Sequence, residues 1–76
     1  MIKKIINYIK DDQFKIIYLN NSVDIANYDK ILEVKDDLVT LIKEDKVILI
    51  HGNNLKLDKL LDNEVLITGC ILSIEL

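Results

Sequence analysis

The chain has no proline, arginine or tryptophan, and only two glycines, one cysteine and one histidine. Each shortage excludes something. Without proline, no strand or helix is interrupted by a residue that lacks an amide N–H. With Gly52 and Gly69 as the only glycines, there is no glycine-rich loop to cradle a phosphate. Cys70 has no second cysteine to pair with, which leads us to expect a reduced, cytoplasmic setting. Arginine supplies the forked contacts that clamp phosphates and read guanine, and here all ten basic residues are lysine. The formal charge is −3, the pI is about 4.9, and the aromatics are Tyr8, Phe14, Tyr18 and Tyr28. Such a surface is a poor match for nucleic acid, so a nucleic-acid-binding small β-barrel is the weaker alternative.

Long apolar runs are missing too. No stretch approaches the roughly 20 residues of a membrane span. The opening "MIKKIINYIK" never reaches the unbroken apolar run of about 7–15 residues that a signal peptide needs.

What is present is aliphatic. Half of the 76 residues are hydrophobic and 30% are charged, which predicts a single soluble domain over residues 1–76. A chain this short buries only about 60% of its unfolded surface, so it needs this density of Ile, Leu and Val to make a core. Ile2, Ile5, Ile6 and Ile9 stand at i, i+3, i+4 and i+7, the spacing of one helical stripe, with Lys3, Lys4 and Lys10 off it. The spacing predicts a short amphipathic helix over residues 1–10. So short a helix must rest on something, either the protein's own sheet or an external docking partner. Its lysines would give at most weak contact with an anionic membrane.

From Phe14 the period becomes two and β-branched residues multiply, predicting a β region over 14–76. Strands are expected at 14–19, 23–26, 31–34, 38–43, 46–51, 55–58, 64–68 and 70–75, with Glu44-Asp45 as a two-residue hairpin. The fold class is mainly β, an antiparallel meander forming a small two-layer sheet, sandwich or roll behind the N-terminal helix. Leu55-Lys56-Leu57-Asp58 alternates, so one face is buried and one wet. Val47–Ile50 and Val65–Ile67 are apolar on both faces, which predicts cover on both sides. Together with the open edges of a small sheet, this leads us to expect a homo-oligomer at micromolar concentration, or docking on a larger partner.

The inventory for chemistry is thin. His51 and Cys70 would have to recruit carboxylates to hold a metal, so the expectation is no metal and no cofactor, with Cys70 a small buried hydrophobe. The carboxylates at Asp11-Asp12, Asp36-Asp37, Glu44-Asp45, Asp62 and Glu64 lie in turns and do not follow a calcium-loop spacing. Glu33 and Glu75 are expected on wet strand faces. No hydroxyl lies near a base in sequence, so no enzyme is expected. The alternative is a small oligomeric β-domain that binds a ligand or metal.

One pattern carries more. Gly52, then Leu55-x-Leu57, then Glu64 and Val65-x-Ile67-x-Gly69-x-Ile71-x-x-Ile74 resembles the YabP/YqfC family of sporulation proteins. Upstream, "NYDKILEVKDDLVTLIKEDKVILI" is similar to the YqfC branch, so the resemblance covers residues 27–76. It implies a non-enzymatic protein of the mother cell of endospore-forming Firmicutes, acting in spore envelope assembly as a cytosolic partner of a YqfD- or YabQ-like membrane protein. It supplies no catalytic residues. Gly52, Leu55, Gly69, Ile71 and Ile74 match its motif as scaffold positions. The proline-free opening departs from the branch's usual lead.

Overall fold

The computed structural model of the chain describes residues 13–76. The helix expected at 1–10, with Ile2, Ile5, Ile6 and Ile9, lies outside them. The described chain is mainly β, with strands Lys15–Leu19 (β1), Ser22–Ala26 (β2), Lys30–Val34 (β3), Leu38–Lys43 (β4), Lys46–Leu60 (β5) and Glu64–Glu75 (β6). They form one antiparallel six-stranded sheet in the order β1-β2-β6-β5-β4-β3. Strands β3 to β6 follow the expected meander. The β1–β2 hairpin does not continue it but docks on β6, with Val23 opposite Ile67 and Ile25 opposite Val65.

The breaks expected after His51 and after Thr68 do not exist. The residues expected as separate strands at 46–51 and 55–58 form the single β5, and 64–68 and 70–75 form the single β6. Gly52 and Gly69, whose places in the sequence suit a turn or a bulge, sit at local irregularities inside these strands. The β5–β6 ladder shifts register between His51 and Gly52, between Asn53 and Lys56, and between Leu57 and Lys59. Bulges of this kind bend a strand and increase its twist without ending its pairing.

Connectivity requires the bend. Ala26, at the end of β2, stands opposite Glu64, while Lys30, at the start of β3, stands opposite Ile42, which faces Val47. On a straight ladder, the β5 positions these map to, near Leu60 and at Val47, would be about 43 Å apart at ~3.3 Å per residue. The link through Asn27, Tyr28 and Asp29 reaches no more than about 14 Å. The β5–β6 ribbon therefore bends back, bringing its two ends within reach of that link.

One face carries the core. Val23, Ile25, Val39, Leu41, Ile48, Ile50, Leu55, Val65 and Ile67 form one buried cluster, with Phe14, Ile16, Tyr28, Ile31, Leu57, Ile71 and Ile74 packed around it. The register explains the set: Val39 faces Ile50 and Leu41 faces Ile48, so alternate residues share a face. Leu55 and Leu57 turn inward and Lys56 and Asp58 outward, as the alternation predicts. The cover expected on both sides of Val47–Ile50 and Val65–Ile67 is one-sided in the described chain. On the outer face Val47 is exposed, and Leu49 and Leu66 are half-buried. The expected hairpin at Glu44-Asp45 is present, with φ of 49° and 69° and Lys43 opposite Lys46.

Candidate functional site

The bend in β5 and β6 brings the predicted motif together. Gly52 faces Ile71, and Ile50 faces Ile74 across the same ladder. A Cβ at Gly52 would collide with the Cys70 carbonyl oxygen and lie 2.8 Å from Leu55 Cδ2. Gly69 has φ +130°, and a Cβ there would lie 2.5 Å from the Asn54 carbonyl oxygen. Both positions thus lack room for any side chain, and at Gly69 the backbone also disfavours an L-residue. Leu55 is buried in the inner corner, while Ile71 and Ile74 pack against the core from β6.

The turns of the flanking hairpins reach the same place. The Gly52 and Leu55 amides donate to the Asp37 and Asp36 carbonyls at 3.1 and 2.8 Å, and the Gly69 amide donates to the Asn21 carbonyl at 3.0 Å. Main-chain groups freed by the bulges thus find acceptors in the β3–β4 and β1–β2 turns. The result is a corner tied together by main-chain hydrogen bonds.

His51 precedes Gly52 on β5, and Cys70 follows Gly69 on β6. His51 Nε2 lies 2.7 Å from Glu75 Oε1, both side chains reaching solvent. Ser73 is opposite His51, but the imidazole bonds the carboxylate and not the hydroxyl, so no base–nucleophile contact is formed. Cys70 stands opposite Asn53 and is exposed, contrary to its expected burial. Alternation along β6 accounts for this, since Val65, Ile67 and Ile71 face the core and Cys70 falls on the opposite face. Glu33 and Glu75 occupy wet faces as expected. Among the described residues, no group of three His, Cys, Asp or Glu could hold a metal ion.

Sequence reasoning missed several polar contacts. Asn27, with φ 66°, donates from its side chain to the Gln13 carbonyl at 2.6 Å and accepts from Asn63 Nδ2 at 2.9 Å. Asp29 accepts the Glu44 amide at 2.7 Å, tying the β2–β3 link to the β4–β5 hairpin. An Asn between two strands was a signal for positive φ, but its partners are remote in sequence.

On the outer face, Asp24 of β2 and Glu64 of β6 come together. The hydrogen bond to Asp24 chiefly raises the Glu64 pKa above 4.5, with the Asp24 charge and some burial adding to it, while Lys15 and Lys59 pull it back. Asp24 Oδ1 is buried without a donor. Two ionised carboxylates only accept, so a hydrogen bond between this pair requires a proton.

The open edges are the remaining feature. Beside β1, the exposed Tyr18 lines a groove of about 350 Å³ with Ile71, Leu72, Ser73 and Ile74. No family model, no curated protein and no solved structure matches the chain.

Proposed function

We propose that this chain is a non-enzymatic assembly protein of the YabP/YqfC kind, acting in spore envelope construction. It would work on the mother-cell side of the forespore as a cytoplasmic partner of a YqfD- or YabQ-like membrane protein. The observation that carries this reading is the convergence of the motif residues Gly52, Leu55, Gly69 and Ile71 on one corner of the sheet, with Ile74 packed on the core. A spacing that resembles a family signature coincides here with positions that tolerate no side chain or that seal the core. In the same reading, the two halves of the bent sheet fold face to face as a small two-layer roll. Phe14, next to β1, supports this by lining a cavity of about 270 Å³ together with Ile48 and Leu76 from the other half. The molecule then acts through its surface: open strand edges and exposed aliphatic side chains give it means to join other chains.

The test is genetic. Deleting the gene from its sporulating host should leave vegetative growth unchanged and lower the yield of heat-resistant spores. A normal spore yield, with no paralogue expressed in its place, would overturn the reading.

A further inference from the structure

Among the described residues, the sheet has several free strand edges, and they are not equivalent. β3 shifts register between Ile31 and Glu33, and a Glu33–Lys35 ion pair of 3.3 Å lies along it. The second half of β6 carries a bulge at Leu72, opposite the step from His51 to Gly52, and the second half of β5 carries one at Asp58 between Lys56 and Lys59. Bulges and charges of this kind are the devices that keep an edge from pairing. β1 has neither. Its register with β2 is unbroken from Lys15 to Leu19, and its apolar side chains are open, with Ile17 48%, Tyr18 54% and Leu19 60% exposed.

We propose that β1 pairs with β1 of a second copy of this chain, antiparallel and centred on Ile17, joining the two sheets into one. The proposal deepens the assembly reading above and rests on it for its biological setting. The main-chain geometry follows from the hairpin. Leu19 and Ser22 close a two-residue turn and exchange both hydrogen bonds, so alternation turns the N–H and C=O groups of Ile16 and Tyr18 outward. A two-fold axis at Ile17 places Ile16 of each copy opposite Tyr18 of the other, where these groups satisfy one another. Ile17 then meets its own counterpart in a close, non-hydrogen-bonded pair.

Charge selects this occupant. In that register the only charge on the strand, Lys15, faces Leu19 of the other copy, so no like charges oppose on either face. Continuity selects it too. Ile16 lies opposite Ile25, which lies opposite Val65, and Tyr18 leads likewise through Val23 to Ile67. Each apolar row therefore runs across the axis into the matching row of the second copy, which an unrelated strand would not provide. A strand of five residues buries less than the ~800 Å² per partner of a standard interface, so the dimer is weak and concentration-dependent.

Sedimentation equilibrium of the full chain tests this from micromolar to millimolar concentration. The expected result is a reversible monomer–dimer equilibrium. Ile17→Lys and Ile17→Glu should each weaken it about tenfold or more, because a like-charged pair replaces an apolar one at the axis. An equimolar mixture of the two variants should recover association as a heterodimer. Leu32→Lys, on β3, should leave the equilibrium unchanged, and circular dichroism should show all variants folded, since both positions are half open to solvent. A monomer throughout the range, association untouched by the Ile17 variants, or association lost only in Leu32→Lys would overturn the proposal. The measurement uses purified chain alone, so its failure would leave the sporulation reading standing. A normal spore yield on gene deletion would in turn leave the dimer standing.

Discussion

Glu64 shows how a single side chain can set a pH response. Its folded pKa is raised chiefly by the hydrogen bond to Asp24 and by that residue's charge. A raised folded value means that the native state binds the proton more tightly than the unfolded chain does. The contribution to stability is therefore complete below the ordinary value of 4.5 and disappears as pH rises through the folded value. Glu64→Gln keeps a donor for Asp24 at every pH. The variant should melt with the wild type at pH 4, and above it at pH 7. Thermal denaturation followed at both pH values checks this, and an identical gap at both would show that Asp24 and Glu64 do not share a proton. Nothing in the sequence pointed to the pair, because forty positions separate the two residues and only the β2–β6 pairing joins them.

At the scale of elements, the bend in β5 and β6 depends on glycine. At φ +130° Gly69 holds a conformation that an L-residue rarely adopts, and an added Cβ would press on the Asn54 carbonyl. Gly69→Ala should cost about 3 kcal/mol or more, combining backbone strain with a backbone clash. Cys70→Ala, the neighbouring exposed position, should change stability by no more than about 0.5 kcal/mol. Urea denaturation of the two variants side by side gives both numbers, and equal stabilities would show that the bend does not need the glycine. The same elements mark how far periodicity can be read. Residues 46–51 and 64–68 were legible as strands because alternation and β-branching are local properties. That each runs on through its glycine into the next was not legible, because turn and bulge draw on the same residues and differ only in what lies across the ladder.

On the scale of the molecule, one contact between strands is not local. β1–β2, β3–β4, β4–β5 and β5–β6 are all joined by short turns, whereas β2 meets β6 only after the intervening strands have been laid down. Closing that long loop costs chain entropy before any burial offsets it, so the β2–β6 contact should form after the folding transition state. Ile25→Val and Ile50→Val both remove a methyl group from the buried cluster and should each cost about 1 kcal/mol. Ile25→Val should act almost wholly by speeding unfolding, and Ile50→Val should also slow refolding. Stopped-flow chevrons distinguish the two, and an equal slowing of refolding by both would place β2 in the nucleus.

The sequence by itself determined the β class, the hairpin at Glu44-Asp45 and the inward turn of Leu55 and Leu57, because these depend on period, turn chemistry and hydrophobic burial. It also marked Gly52 and Gly69 as places where the chain needed freedom. Only the tertiary structure decided that these glycines bend continuous strands, that Cys70 faces solvent, and that β1 is an outer strand among the described residues. Those outcomes depend on which strand lies beside which. That choice is made by burying Val23 and Ile25 against Val65 and Ile67, a long-range match that no local pattern encodes.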